Sequence, residues 1–321
     1  MRRAPVWLLA LLSAGCVQSA TSFPEEPGKS QSPAPAATEA APQTAEPPPQ
    51  PLEKATPQDP AATSSRAKAS APRAASAPPD GPAPLTSPGS PFVELPVPNH
   101  RPAVVSLPLG ATSRRPVLVA AHGAGDRPEW QCHVWRGIVG DRGFVLCPRG
   151  FPTNPYVPPE HTGYFYTTHH ALAREIALAF EALVKRFPDH VDPNAPIFTG
   201  FSQGAIMGAL VLPRHQVRFA RAALVEGGYG FFHEWNIHAA QTWTNRGGLR
   251  VLLACGRVRC VEQATPTAYY MKRGGLTARI LHAPGAGHSY GGSMEVAVRD
   301  AFGWLVEGDP RWEGGAPAST P

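Results

Sequence analysis

One serine lies between two glycines where an apolar run ends. The segment Ile197–Leu212 reads IFTGFSQGAIMGALVL and contains Ser202 between Gly200 and Gly204. Small neighbours are needed if a strand turns sharply into a helix, because the serine must then adopt a strained backbone that lifts its hydroxyl above the sheet. A hydroxyl presented in this way is suited to nucleophilic catalysis. By itself the five-residue pattern is weak, because glycine and serine are frequent in this chain.

A histidine loop provides a base for this serine. A second match to the pattern, Gly287–Gly291, contains Ser289, but no histidine follows His288 and a nucleophile there would have no downstream base. His288 itself lies in the loop APGAGHSYGG, directly after the last predicted strand. The other histidines after Ser202 fall in predicted helices or caps, or at the end of a strand. His288 is therefore the best candidate for the general base.

A glycine-rich turn supplies a third chemical element. The predicted strand Val117–Ala121 ends in the residues His122-Gly123-Ala124-Gly125. Such a turn can direct a backbone N–H at a developing oxyanion. Three distant stretches thus offer a hydroxyl, an imidazole and an amide donor for acyl transfer.

Alternating strand and helix patterns can position these groups. Short apolar runs predict strands at Ala103–Leu107, Val117–Ala121, Phe144–Cys147, Ile197–Gly200, Ala222–Val225, Val251–Ala254 and Ala278–Leu281. Helical periodicity predicts helices at Ala171–Arg186, Ala205–Leu212, Val261–Arg273 and Ser293–Leu305. This alternation predicts an α/β fold with a mostly parallel sheet covered by helices on both faces. Its chemistry should lie at the carboxyl ends of the strands.

The motifs GFSQGA, HGAG and GAGH together resemble those of the α/β-hydrolase superfamily. They are similar to its carboxylesterase and phospholipase-like branch, which includes polyhydroxyalkanoate-depolymerase-type serine esterases. The resemblance covers residues 101–308. It implies Ser202 as nucleophile, His288 as base, and an oxyanion hole formed by the backbone N–H groups of Ala124 and Gln203.

The third triad member departs from the family pattern. Arg259 stands where these families carry an aspartate after the strand that ends VLLACG. Between nucleophile and base the chain has no aspartate and only three glutamates, Glu226, Glu234 and Glu262. Glu226 is favoured because it ends the preceding predicted strand, the other place where the fold carries its acid. Glu262 is the alternative, as a helix residue that could reach back, and a Ser–His dyad is also open.

The N-terminus has the layout of an export signal. Residues 1–16, MRRAPVWLLALLSAGC, combine two arginines, an apolar stretch too short to span a membrane, and small residues before Cys16. Bacterial lipoprotein signals place their lipid-modified cysteine at such a position. We therefore expect export and attachment to a membrane of the cell envelope through a lipid on Cys16. The alternative is an ordinary secretory signal.

Composition divides the remaining chain. Of the 39 prolines, 21 lie in residues 1–100, and residues 17–100 are rich in Pro, Ala and Ser. Such a segment buries too little apolar surface to offset its chain entropy, which predicts a disordered linker. The folded domain is then expected at 101–308, followed by a flexible tail at 309–321.

Four cysteines remain after Cys16, and an oxidising compartment favours their pairing. Three connectivities are open, and proximity in sequence favours Cys132 with Cys147 and Cys255 with Cys260. A zinc site is disfavoured because these cysteines have no CxxC spacing and no histidine at ligand spacing. His161, His169 and His170 also lack acidic partners at useful spacing. No metal or other cofactor is predicted.

Aromatic residues suggest where a substrate would bind. The segment after Glu226 contains Tyr229, Phe231, Phe232, Trp235 and Trp243, which could form a short cap over an acyl or aryl pocket. The run Tyr164–Tyr166 could form the opposite wall. The alternative for each group is packing against neighbouring helices.

These observations favour a monomeric serine esterase that cleaves a small-molecule or polymeric ester. The alternatives are a non-catalytic, surface-tethered binding protein on a hydrolase scaffold, and a peptidase or acyltransferase with the same triad. The formal net charge is only +5, and no Lys/Arg run is interleaved with aromatic residues, so no nucleic-acid partner is expected.

Overall fold

A computed structural model describes residues 81–230 and 234–313, which belong to one compact unit. Its strands are β1 (Phe92–Leu95), β2 (Ala103–Ser106), β3 (Val117–Ala121), β4 (Phe144–Cys147), β5 (Phe151–Pro152), β6 (Tyr164–Phe165), β7 (Ile197–Phe201), β8 (Arg221–Val225), β9 (Arg250–Cys255) and β10 (Thr277–His282). Its helices are α1 (Pro128–Val139), α2 (His169–Arg186), α3 (Gln203–Val211), α4 (Ile237–Thr244), α5 (Val258–Arg273) and α6 (Ser293–Val306).

Eight of these strands form one sheet in the order β1-β2-β4-β3-β7-β8-β9-β10. The strands from β4 to β10 in this order run parallel, and β2 is antiparallel to both of its neighbours. The short strands β5 and β6 pair separately as an antiparallel ribbon. The parallel order brings the carboxyl ends of β3, β7, β8 and β9 together at one edge of the sheet.

Helices cover both faces of the sheet because its central strands are apolar on both sides. Along β3, Val117 and Val119 face one core while Leu118 and Ala120 face the other. The first core is closed by α2, α3, α4 and α5, and the second by α1 and α6. A strand buried on both faces reads as a continuous apolar run, which explains why these strands were predictable. The predicted fold class, an α/β-hydrolase fold, is confirmed.

The boundary between linker and domain was predicted too late in the chain. The predicted linker 17–100 includes β1, which pairs with β2, and the buried residues Leu85, Leu95 and Val97. Prolines surround this short strand and gave the segment its linker-like composition. An edge strand tolerates prolines at its ends because one of its sides has no ladder partner. The predicted signal at 1–16 and the linker up to residue 80 lie outside the described residues.

The predicted flexible tail also begins too early. Trp312 is 1% exposed and packs edge-on against Phe302 of α6. Asp309 forms a buried ion pair with Arg221 of β8, with 3.1 Å between Nη1 and Oδ2. One short 3₁₀ turn with a single large apolar residue has no periodicity for sequence reasoning to detect. Residues 314–321 lie outside the described part.

The remaining differences concern short elements. Helices α1 and α4 and the β5–β6 ribbon were not predicted, while the seven predicted strands and four predicted helices are present with ends shifted by up to three residues. Among the described residues, no helix is both long and apolar enough to cross a membrane.

Candidate active site

Ser202 occupies the sharp turn between β7 and α3. Its backbone has φ 48° and ψ −112°, in the region that a residue with a side chain rarely adopts. A Cβ on Gly200 would lie 2.6 Å from the backbone of Ala205, and one on Gly204 would collide with the carbonyl oxygen of Ala121. Both flanking positions therefore require glycine, which is the physical content of the sequence pattern.

His288 contacts this serine from the loop that follows β10. Its Nε2 lies 2.9 Å from the hydroxyl oxygen of Ser202. The imidazole also packs against the ring of Phe201, with 5.0 Å between centroids. The predicted nucleophile and base, which are 86 residues apart in sequence, are therefore within hydrogen-bond distance.

Glu226 completes a chain of three side chains. It follows β8 with φ 52°, and its side chain is fully buried. One carboxylate oxygen, Oε2, lies 3.0 Å from Nδ1 of His288. The other, Oε1, accepts backbone hydrogen bonds from Gly256 at 2.6 Å and from Arg257 at 3.2 Å. Glu262, the alternative acid, is exposed on α5.

Arg257 is a site residue that sequence reasoning missed. Its Nε donates to Oε2 of Glu226 at 2.7 Å, and its Nη2 lies 2.9 Å from Nδ1 of His288. Nδ1 must carry a proton to donate to Glu226, and this tautomer leaves Nε2 free to accept the proton of Ser202. The guanidinium of Arg257 then pairs with the Glu226 carboxylate and not with Nδ1 of His288. The available signal was its position directly after Gly256, the residue that follows β9.

The glycine-rich turn after β3 packs against the nucleophile. A Cβ on Gly123 would come within 3.4 Å of the Cβ of Ser202. The turn is held by a hydrogen bond from Gly125 N–H to the carbonyl of Tyr164, 2.8 Å long. Ala124 is exposed in this turn beside a cleft that His288 also lines.

Gln203 is the first residue of α3. The N-terminal amides of a helix have no acceptor within it, so the Gln203 N–H is available to a ligand. Its side-chain oxygen accepts a hydrogen bond from the backbone N–H of Tyr166 at 2.9 Å. Gln203 directly follows Ser202 in the chain, the position from which the expected oxyanion hole takes one of its two N–H donors.

The buried ring of His122 contacts the backbone of the same turn. Its ring is fully buried, with Nδ1 2.7 Å from the carbonyl of Gly123 and Nε2 2.8 Å from that of Arg149. Tyr166 stacks on this ring at 4.6 Å and its hydroxyl accepts the His122 backbone N–H. The run Tyr164–Tyr166 therefore contributes to packing, and the predicted role as a pocket wall is wrong for the buried Tyr164 and Tyr166.

The aromatic cap is also different from the prediction. Trp235 and Trp243 are buried and pack against each other at 5.8 Å. Tyr229 does line a cavity of about 350 Å³ beside Ser202. Burial and the charge of Glu226 raise the pKa of Tyr229, so its hydroxyl stays protonated. Phe231 and Phe232 lie outside the described residues.

A tyrosine joins the base loop to the glycine-rich turn. The Tyr290 hydroxyl donates to Oδ1 of Asp126 at 3.1 Å, and its ring packs against Phe201 at 4.7 Å. Burial and the neighbouring Asp126 raise the pKa of Tyr290 above its ordinary value, so this donor is retained at any physiological pH. The bond connects the two loops that follow β3 and β10.

Both locally favoured cysteine pairs are bonded. Cys132 of α1 is joined to Cys147 of β4, and Cys255 of β9 to Cys260 of α5. The second disulfide encloses Gly256 and Arg257, the residues whose N–H groups hold Glu226. Cys16 lies outside the described residues.

In the part of the chain that the structure describes, no three His, Cys, Asp or Glu side chains form a group that could hold a metal ion. The rings of His169 and His170 are in contact at the start of α2, with 4.0 Å between centroids and a tilt of 39°. Burial and the neighbouring His170 lower the pKa of His169.

No family model and no curated protein matches this chain. Solved structures that resemble it include TT1662 from Thermus thermophilus, which is 16% identical with a TM-score of 0.49 over 67% of this chain and 98% of its own. A putative dienelactone hydrolase from Klebsiella pneumoniae is 13% identical, with a TM-score of 0.48 over 67% and 97%. Est1E from Butyrivibrio proteoclasticus is 12% identical, with a TM-score of 0.46 over 66% and 96%. The fold assignment rests on the strand order and on the turn at Ser202.

Proposed function

We propose that this protein is a serine esterase that cleaves carboxylic esters through an acyl-enzyme. The observation that carries the proposal is His288, whose two ring nitrogens lie within 3.0 Å of the Ser202 hydroxyl and the Glu226 carboxylate. A serine hydroxyl is a weak nucleophile unless a base accepts its proton, and a neutral imidazole needs an acceptor to hold it in the right tautomer. Both requirements are met by the same three side chains.

Acylation forms a bond between Ser202 Oγ and the acyl carbon and breaks the bond between that carbon and the alcohol oxygen. Ser202 Oγ attacks the ester carbonyl carbon while its proton passes to Nε2 of His288. The carbonyl oxygen becomes an oxyanion, which in this proposal accepts hydrogen bonds from the N–H groups of Ala124 and Gln203. The bond to the alkoxide then breaks, and the alkoxide takes the proton from Nε2. Glu226 stabilises the imidazolium that exists between these two proton transfers.

Deacylation repeats these steps with water. Nε2 of His288 accepts a proton from a water molecule as its oxygen attacks the acyl carbon. The same amides stabilise the second oxyanion. The bond to Ser202 Oγ breaks, and the serine recovers its proton from the imidazolium. The products are a carboxylic acid and an alcohol, and the site returns to its starting state.

The non-catalytic alternative was suggested by the missing aspartate. The contact between Glu226 and Nδ1 of His288 argues against it, because a triad acid makes the same contact. A peptidase or an acyltransferase would use the same residues with a different bond or acceptor. Amide substrates and added alcohol acceptors distinguish these from an esterase.

Export and lipid anchoring are part of the proposal and are supported by residues 1–16 alone. The positive start, the short apolar stretch and the small residues before Cys16 support them. Mass spectrometry of the N-terminal peptide from a bacterial host should find a lipid on Cys16. An unmodified Cys16 in exported protein would exclude the anchor.

The esterase proposal is tested with Ser202→Ala and short p-nitrophenyl esters. Loss of the nucleophile should lower kcat by at least about 10⁴-fold without unfolding the protein. Ser293→Ala, a change at an exposed serine that begins α6, is the matched control and should retain full activity. A fluorophosphonate should label the native protein at Ser202 and not at Ser289. Undiminished turnover in Ser202→Ala would refute the assignment.

A further inference from the structure

The cavity beside Ser202 is lined by two arginines and one carboxylate. It has a volume of about 350 Å³ and reaches from Ser202 and His288 to the start of α5. This volume is at the lower end of the range for small-molecule sites. Its lining includes the apolar Ile206 and the ring of Tyr229, together with the side chains of Arg257 and Arg259.

The one carboxylate in the lining is already satisfied. Glu226 accepts hydrogen bonds from the backbone of Gly256 and Arg257 and from the guanidinium of Arg257, and it contacts His288. The ion pair between Arg257 and Glu226 balances one positive charge with one negative charge. The charge of Arg259 remains.

The Arg259 side chain is exposed, and no residue in 81–230 or 234–313 forms a hydrogen bond or ion pair with it. It lies in the first turn of α5, and that turn contains no acidic residue. A cation at this end of a helix is unfavourable because the helix dipole is positive there. Helix stability therefore gives no reason for this arginine, and its guanidinium is available to a ligand in the cavity.

We propose that Arg259 selects substrates that carry a carboxylate, so that the preferred substrate is a small ester with one anionic end. This inference rests on the proposed esterase function, because it assumes that the ester carbon lies at Ser202. A guanidinium binds a carboxylate through paired N–H donors. Ile206 and Tyr229, which line the same cavity, would contact the carbon chain that separates the ester from the anion.

The experiment compares esters that differ only in this charge. Monomethyl adipate has its carboxylate on the acyl side of the ester, and 5-acetoxypentanoate has its carboxylate on the alcohol side. The carboxamide analogue of each is its neutral partner. In the full native chain, the charged ester of at least one pair should have a kcat/KM about three- to fivefold higher than its neutral partner. Added salt should reduce this preference because it screens an exposed pair.

The variants assign the preference to one side chain. Arg259→Gln should reduce the ratio of charged to neutral kcat/KM to about one while the neutral ester is still cleaved, and Arg259→Lys should retain part of the preference. Arg273→Gln is the matched control, since it removes the same charge from the exposed, opposite end of α5, roughly 21 Å away at 1.5 Å per residue. It should leave the ratio unchanged.

The outcomes separate the two proposals. Cleavage of neutral esters without any preference for the charged ones, or a preference that survives Arg259→Gln, would overturn this inference and leave the esterase function standing. Fluorophosphonate could label Ser202 while none of the four esters is cleaved. In that case adipate should slow the labelling more than adipamide does, and Arg259→Gln should remove this difference. Equal slowing by adipate and adipamide would overturn the inference. Absence of both labelling and cleavage would overturn the esterase function and this inference together.

Discussion

At the scale of single residues, the proposed triad has Glu226 as its acid, where the families of the sequence resemblance have an aspartate. Glu226 has one more methylene than aspartate, and its carboxylate is held by backbone N–H groups of Gly256 and Arg257. These donors come from the loop after β9, where the aspartate of the resembling families would start. The acid of the proposed triad thus follows β8 and not β9, and its carboxylate contacts His288.

Replacing this acid tests its role. Glu226→Gln keeps the size of the side chain but removes the charge that stabilises the imidazolium, so kcat should fall by about a thousandfold or more. The measurement is turnover of a neutral p-nitrophenyl ester, with thermal unfolding recorded beside it. Glu262→Gln makes the same chemical change on the exposed surface of α5 and should keep full activity. Comparable losses in both variants would contradict the assignment of Glu226.

At the scale of elements, the site is made of loops that leave neighbouring parallel strands. Ser202 follows β7, Glu226 follows β8, Gly256 and Arg257 follow β9, and the loop that carries His288 follows β10. Neighbouring parallel strands end side by side, which brings these loops together. The bond between Tyr290 and Asp126 then ties the base loop to the turn after β3.

The two disulfides should contribute differently to stability and activity. Cys132–Cys147 closes 15 residues and Cys255–Cys260 closes 5. The loop-entropy relation assigns about 3 kcal/mol to the longer loop and about 2 kcal/mol to the shorter one. Replacing Cys132 and Cys147 by Ala should therefore lower the unfolding free energy more.

Replacing Cys255 and Cys260 by Ala should lower kcat/KM more, because this bridge holds the backbone that binds Glu226. Denaturant titration and ester hydrolysis at a temperature where both variants are folded make the comparison. Equal loss of activity in the two double variants would show that the shorter bridge has no special link to the site.

At the scale of the whole molecule, the domain is closed at both ends by segments outside the predicted limits 101–308. β1 and the buried side chains Leu85, Leu95 and Val97 cover one edge of the sheet. Trp312 and the pair between Asp309 and Arg221 hold the other end of the chain. Burial of an aliphatic side chain contributes about 1.5–3 kcal/mol before the entropy cost of ordering its segment, so removal of all three should destabilise the domain.

Truncation tests these limits. A fragment of residues 81–313 should unfold at the same temperature as the full chain and keep the proposed esterase activity. Fragments 101–313 and 81–308 should each unfold at a markedly lower temperature, because each exposes part of a core. Calorimetry of the three fragments checks this, and a fragment 101–313 as stable as 81–313 would contradict the assignment of β1 to the domain.

The sequence by itself determined the central strands, the longer helices, and the serine and histidine. These are local properties: apolar runs and helical periodicity extend over several residues, and the glycines around Ser202 are required by the turn itself. The order of Ser202 before His288 along the chain is also read directly from the sequence. The same local reasoning failed for β1 and Trp312, because a four-residue strand between prolines and a single buried tryptophan have no repeating pattern.

The tertiary structure decided which side chains meet. Three glutamates lie between Ser202 and His288 in sequence, and only their positions in space place Glu226 against the imidazole and leave Glu262 on the surface. The contact of Arg257 with both Glu226 and His288, and the position of Arg259 in the cavity, depend in the same way on how the loops after β8, β9 and β10 fold together. Contacts between residues 30 to 86 positions apart are set by strand order and packing, which local patterns along the chain do not specify.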